Sequence, residues 1–581
     1  MHLDDACQWL GWPSADSIRH PANAGAVVLV DLARAKIAEP LRRYSPRLSV
    51  ETTVLAIDAD SPQPLAIVCE FASGTTPEVL REAQRLAWNF SKTGLLITLE
   101  PHRLIAWSCL RSPDVSEDEL RLCELKTDVA ATPERGCQHS VRELLHWVSL
   151  ITGEYVRKKP NFFRSDERAD QLLLKNLRHI RRTLIQAGLP RDYCHDLLAR
   201  VIFTQFLFHR KDSRGAAFFS ETVLAQRCGG ALRRVHSDLA SILSDKSETY
   251  RLFEWLDTHF NGDLFPGKSD QSENEQASAW QAERDAVTPE HLQMLAELVS
   301  GTIDTQDRQL LLWPRYSFDT IPLEFISCVY EEFLNEDRDV NKAYYTPPFL
   351  VDYVLDAVLP WQGDRWNLRV LDPACGSGIF LVKAFQRIIH RWRQAHGGRP
   401  PLVRDLKPIL ANNFVGVDIN PDAVRVACFS LYLAMVDAVE PRHYVSRDKV
   451  FPRLRGERLI AGDFFNEAIA VASAGNGTPA YDLVIGNAPW GEDSVLKTSD
   501  PAPAESAPTE KRRKNPGDLT HAQRWGGRQG WPIVNLDIGP LFIAKSLQLV
   551  TEEGQVAMLQ PAPPWLYSRS EPAVQLRHKL F

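Results

Sequence analysis

"LRVLDPACGSGIF" (residues 368–380) runs from apolar residues through an acid and two closely spaced glycines into a second apolar run. A short apolar run bounded by turn residues reads as a buried strand. Glycines let the backbone approach a ligand closely, and the start of a helix offers unpaired N–H groups. The stretch therefore predicts strand, tight turn and helix, with Asp372 at the strand tip and Gly376 and Gly378 in the turn. No Gly-Lys-Ser/Thr follows, so it is not a phosphate-binding P-loop.

The alternation continues downstream. "NFVGVDIN" (413–420) precedes a helix from Asp422 to about Val439, then come "RLIAGDFF" (458–465), "YDLVIGN" (481–487), a helix near 538–551 and "GQVAMLQP" (554–561). Regular strand–helix alternation predicts an α/β, doubly wound, Rossmann-like parallel sheet that binds ligands at the strand carboxyl ends. Residues 494–530, rich in Pro, Ala, Glu, Lys and Arg, read as a long loop interrupting it. Asp418 closes the second strand, where a carboxylate suits a ribose diol. Capping of the following helix is the competing reading, although Asn420 and Asp422 could serve there too. Asp463 closes another strand under the same ambiguity.

The D-P-A-C-G-S-G string resembles motif I of S-adenosylmethionine (SAM)-dependent amino-methyltransferases of the N6-adenine and N4-cytosine type. "AYYTPPFLVDYVL" (343–355) resembles the motif that precedes motif I in gamma-class DNA amino-methyltransferases, and "NAPW" (487–490) resembles their N-P-P-[YFW] turn. The resemblance, to the large type IIG and BREX/DISARM-associated kind, covers roughly 150–581, with strong motifs only from 344 to 490. It implies SAM as cofactor, held by Tyr345, Thr346, Pro347, Asp372, Pro373, Ala374, Gly376, Gly378, Asp418, Ile419, Asp463 and Phe464. Asp463 falls where the family accepts from the amine of the SAM adenine. A Thr346 cap with Pro347 in the first turn is compatible with the same residues.

For the Asn-Pro turn the resemblance implies catalysis by Asn487, Ala488, Pro489 and Trp490. Adenine N6 is a poor nucleophile because its lone pair is delocalised into the ring. The Asn487 side-chain oxygen and the Ala488 backbone carbonyl would accept the amino hydrogens and localise that pair toward the methyl sulfonium. Trp490 would stack on the extruded base and offset lost duplex stacking. Ala488 departs from the usual proline at a cost of about 0.4–1 kcal/mol in turn rigidity.

The expected activity is methylation of adenine N6 in double-stranded DNA, within a restriction-modification or phage-defence system. Other readings stand beside it: an inactive or truncated SAM- or DNA-binding subunit, or an N4-cytosine, RNA or protein-glutamine amino-methyltransferase. The chain stops at "RHKLF", before the last strands and target-recognition domain of such relatives. That predicts a carboxyl-terminally truncated sheet, with recognition supplied by a separate or downstream chain. "KRRK" (511–514) is placed to touch phosphates, although solvated charge explains it equally.

Three domains are expected: 1–137, small and α/β; 138–340, helical; 341–581, catalytic. Within the first, "AVVLVDLA", "TTVLAID", "LAIVCEF", "GLLITL" and "RLIAWSCL" read as strands around the helix "PEVLREAQRLAWNF". Relatives often carry a PD-(D/E)xK nuclease-like domain here. Glu70 matches its acid, Ala72 stands where lysine belongs, and Glu51 or Asp58 would be the second acid, so a degenerate domain is expected. Within the second, "GKSDQSENEQASAW" (267–280) reads as a mobile loop.

Bulk properties set the remaining bounds. The 581 residues exceed one core, and 44% hydrophobic with 24% charged content is that of a globular protein. No apolar stretch nears the roughly 20 residues that span a bilayer, and the acidic start lacks a signal peptide's basic region, so a cytoplasmic protein is expected. Ten cysteines without a C-x-x-C pair predict reduced thiols and no metal site. A net charge of −7 requires any nucleic-acid contact to be local.

Overall fold

The computed structural model describes all residues except 58–60, 127–134, 261–264, 266–272, 302–315, 322–345, 445–448, 467–479, 491–519 and 536. The chain divides into two compact units. One is Met1–Val329 with Pro360–Gln362 and Val436–Val450; the other is Tyr330–Leu359, Gly363–Met435 and Phe451–Phe581.

The first unit holds a five-stranded mixed sheet in the order β1 (Val50–Ile57), β2 (Gln63–Phe71), β3 (Leu95–Glu100), β4 (Arg103–Ser108) and β5 (Arg121–Lys126). Only β2 and β3 pair in parallel, joined by the helix Pro77–Phe90, as a parallel pair requires a crossover. Alternate strand residues feed two apolar cores, one around Leu3, Leu10, Ile97 and Leu145, the other around Ile37, Ile67, Leu86 and Trp107.

"AVVLVDLA" is not a strand. It forms the helix Ala24–Ala33, started by Asn23, whose Oδ1 accepts from the Gly25 and Ala26 amides at 2.7 and 3.3 Å. That cap outweighs the β-branched run. Helices then follow, among them Ala169–Gln186, Arg191–His209 and Lys246–Phe260. The expected loop at 267–280 is corrected over its second half, because Glu273–Ala286 is helical. Its Ala, Glu and Gln content favours helix once packing is available, and Glu283 meets Arg200 in a fully buried two-pronged ion pair at 2.7 and 2.5 Å.

The second unit holds a wholly parallel sheet in the order β10 (Val550–Met558), β9 (Tyr481–Gly486), β6 (Val370–Asp372), β7 (Phe414–Asp418), β8 (Leu459–Ala461). The expected doubly wound arrangement is therefore present. Chain order runs outward from β6 in both directions, so β6 and β9 flank the topological switch point where such sheets bind ligands. Helices Ile379–Ala395 and Pro421–Ala438 follow β6 and β7, the first opening after the glycine turn as expected and the second close to its expected bounds. The loop expected at 494–530 ends in a helix, His521–Arg528, opened by a Thr520–Gln523 capping box. No helix of the described residues is long and apolar enough to cross a membrane.

Candidate active site

The carboxyl ends of the parallel strands gather the motif residues of the second unit. At the tip of β6, Asp372 is 1% exposed, and its Oδ1 accepts from the Ala374 amide at 3.1 Å. The turn then passes Gly376 and Gly378, with φ of +52° and +83°. The Gly376 amide donates to Asp418 Oδ2 at 2.8 Å, tying the first turn to the tip of β7, and Asp418 Oδ1 accepts from the Asn420 amide at 2.8 Å. Both carboxylate oxygens thus hold backbone, and each keeps a second lone pair for a ligand hydroxyl. The Asp418 carbonyl accepts from the Gly462 amide at 2.7 Å, joining the turn that carries Asp463.

The acids sit in a demanding environment. Burial pushes the Asp372 carboxyl up to about 8, against the Ala374 hydrogen bond and with help from the nearby Asp418 charge. Burial also raises Asp418, which retains some accessible surface yet is densely surrounded. Two desolvated carboxyls near one another form an environment that a cationic ligand would relieve.

On the other side of the switch point, β9 ends at Gly486 beside Asp372. A Cβ built at Gly486 would fall 2.6 Å from Asp372 Oδ1, so only glycine leaves that carboxyl its place. Gly486→Ala is expected to displace Asp372, weakening ligand binding about tenfold and stability by about 1–3 kcal/mol. Calorimetric titration and urea unfolding of the variant would measure both.

Next comes Asn487. Its Nδ2 donates to Thr346 Oγ1 at 3.1 Å, and its Oδ1 accepts from the Trp490 indole N–H at 3.1 Å. Thr346 is 7% exposed, and Ala488 is buried while Pro489 is exposed. The two turns, 141 residues apart, are thereby joined. The sequence reading paired Trp490 with a base through its ring face alone and did not foresee the indole N–H on Asn487.

The remaining expected residues are distributed unevenly. Ile419 is 53% exposed beside Asp418, an apolar surface open to a ligand. Pro373 is buried and Ala374 partly exposed. The Phe464 ring lies in the core, stacked on Phe542 at 5.5 Å, so the atoms it can offer to a ligand belong to its backbone. Tyr345 and the basic run 511–514 lie outside the described residues.

Two features were missed. "DIGP" forms a turn in which Asp537 Oδ1 accepts from the Gly539 amide at 2.9 Å, and it presses against Trp490. Asp-x-Gly-Pro before an apolar run was the available signal. Gln560, two residues past β10, was read only as a strand end.

In the first unit Glu51 and Glu70 are register partners on β1 and β2. Arg19 contacts both, at 3.8 Å from Glu51 and 2.8 Å from Glu70, and Glu70 also accepts from the Leu3 amide at 3.1 Å. A guanidinium supplies positive charge between these acids. Asp58 lies outside the described residues.

Residues 412–581 match the family model described as Eco57I restriction-modification methylase. Over 117 residues the chain is 29% identical to "Adenine-specific methyltransferase PglX" of Streptomyces coelicolor, a match covering 20% of this chain and 10% of that protein. The chain thus spans about a tenth of the curated relative. Among solved structures it is similar to a type I restriction-modification methyltransferase subunit from Streptococcus thermophilus, with 14% identity, TM-score 0.35, and 71% and 78% of the two chains covered. It is also similar to the type IIL restriction-modification enzyme MmeI in complex with DNA, with 14% identity, TM-score 0.33, and coverage of 70% and 52%.

Proposed function

We propose that this chain, whose residues 412–581 match the Eco57I restriction-modification methylase family, transfers a methyl group from SAM to the N6 amine of an adenine extruded from double-stranded DNA. The observation that carries the reading is the hydrogen-bonded chain Thr346–Asn487–Trp490, set at the switch point beside the buried Asp372. SAM suits the donor set. Asp372 and Asp418 are acids in need of positive charge, the Gly376 turn allows close approach, and Ile419 offers an apolar face. When bound, SAM supplies an electrophilic methyl on a sulfonium.

The chain's own residues act on the amine. Thr346 and Trp490 fix both ends of the Asn487 amide, so its oxygen points to the Trp490 side. That oxygen has a second lone pair and can accept an amine hydrogen without losing the indole. The Ala488 carbonyl is the second acceptor. With both hydrogens held, the nitrogen lone pair is freed toward the methyl; as the N–C bond forms the methyl–sulfur bond would break, and the proton of the now acidic amine would pass through the Asn487 and Ala488 oxygens to water. Positioning supplies much of the remaining rate.

Stacking and orientation by Trp490 are separable. Trp490→Ala is expected to weaken DNA binding about 10–100-fold, matching stacking energies of about 1–3 kcal/mol per base. Trp490→Phe keeps a ring but removes the N–H, so it should retain binding and lose turnover. Fluorescence of 2-aminopurine in duplex DNA, beside single-turnover rates, separates the two.

The deciding test is tritiated methyl transfer from SAM to DNA of a host lacking adenine methylation, followed by nucleoside analysis. Label in N6-methyladenine is expected. Label in N4-methylcytosine would move the target, and no label with DNA bound would favour an inactive binding subunit.

A further inference from the structure

Gln560 is placed and left in a way the reaction as described does not use. β10 runs parallel to β9 with Met558 opposite Gly486, so Gln560, two residues on, stands level with Ala488 in the Asn-Pro turn. It lies across β9 from β6, β7 and β8, which carry the donor-side acids. Both polar atoms of its side chain, Oε1 and Nε2, are buried without a hydrogen-bond partner. Among the described residues no other side-chain amide has both ends orphaned.

Its surroundings locate it further. A Cβ built at Gly539 would fall 2.7 Å from Gln560 Oε1 and 3.1 Å from the Trp490 Cβ. The Gln560 amide oxygen and the Trp490 Cβ therefore flank the same glycine, which the Asp537 carboxylate holds in its turn. Buried amides are normally satisfied, and leaving both ends unmade is costly. Such a group beside an aromatic platform is what a site looks like when its polar ligand is absent.

We propose that Gln560 reads the base held on Trp490, its Nε2–H donating to the ring nitrogen beside the exocyclic amine. The inference rests on the methyl-transfer reading above and adds the residue that selects the base. Adenine and cytosine present an acceptor nitrogen next to the amine, whereas the corresponding Watson–Crick nitrogens of guanine and thymine carry a hydrogen. Asn487 and the Ala488 carbonyl take the amine hydrogens, so the Gln560 donor is the complementary third contact. Side-chain amides recognise adenine through this kind of paired donor and acceptor.

The test uses the whole chain, tritiated SAM, and duplex DNA in which adenine is replaced by 1-deazaadenine or 7-deazaadenine, each keeping the exocyclic amine. The wild type is expected to lose about tenfold in kcat/KM on one analogue, a loss typical of one hydrogen bond with a partner left unpaired. The analogue expected to lose is 1-deazaadenine, and a loss on 7-deazaadenine alone overturns the proposal, because adenine and guanine present the same acceptor at N7. Gln560→Met, similar in shape, should be about tenfold slower on adenine, carried mainly by KM, and should no longer discriminate between the analogues. Its Tm should rise by a few degrees, because a buried unsatisfied amide is removed.

Equal wild-type rates on all three substrates, or unchanged discrimination in Gln560→Met, overturns the proposal. So does a fall in Tm with kinetics untouched, which assigns Gln560 to packing. If the wild type labels no DNA, the methyl-transfer reading itself fails and takes this one with it. Label that is indifferent to Gln560 sinks the present inference alone.

Discussion

Asn487→Ala is expected to lower methyl transfer about 10²–10³-fold, the loss typical when one preorganised polar group is removed from a reacting centre. SAM affinity should stay within about twofold, because the donor-side acids sit on β6 and β7 and are held by backbone amides, whereas the Asn487 side chain bonds to Thr346 and Trp490. The reason lies in how the amide is fixed. The indole N–H can only donate and so takes the oxygen end, which leaves the N–H end to the Thr346 hydroxyl, a group able to accept it, and the two contacts together hold a single orientation. Thr346→Val removes one of them and should cost about tenfold, since the amide can then rotate away from its working pose. Single-turnover labelling of DNA with calorimetry on SAM reads both quantities. Unimpaired transfer by Asn487→Ala would remove the amine-activating role from this turn altogether.

That arrangement also marks where sequence reading stops. Asp372, Asp418 and the glycine turn were legible because an apolar run ending in an acid and glycines admits few structures. Their placement at strand carboxyl ends followed from strand–helix alternation, whereas the strand order that makes β6 the point from which the chain winds both ways emerges only in the folded sheet. The helix Ala24–Ala33 was not legible, because "AVVLVDLA" is apolar at nearly every position and carries neither a period of two nor one of 3.6. What decides it is the Asn23 side chain, a local cap that apolar content hides. The segment 273–280 failed in the opposite direction: its polarity resembles a linker, yet a neighbouring Arg200 draws Glu283 into the core and the helix with it. Gln560 was invisible for a third reason. A single polar residue ending an apolar strand signals nothing until burial and missing partners are measured.

The Asp372 carboxyl makes the second large prediction, and its sign follows from burial. Its value of about 8 in the fold lies far above the usual carboxylate value, so the folded protein keeps a proton that the unfolded chain releases. Folding is therefore favoured below the unfolded value of about 4, and that contribution is lost as pH rises through about 8. Asp372→Asn, which keeps the shape of the protonated acid, should gain stability over wild type by about 1.4 kcal/mol per pH unit, or about 3 kcal/mol between about pH 5 and about pH 7. Urea unfolding of both proteins across that range measures the difference. A cationic ligand reverses the balance, because its charge holds the carboxylate ionised. SAM binding by wild type should then release close to one proton below about pH 8 and tighten with pH by up to about tenfold per unit. Asp372→Asn should bind more weakly and with no such slope. Calorimetry in two buffers of different ionisation enthalpy counts the proton directly. Without that proton, or with parallel stability profiles for the two proteins, Asp372 would already be ionised in the free protein. The acid at the tip of β6 would then be a structural bracket for the Ala374 turn rather than the counter-charge of a sulfonium.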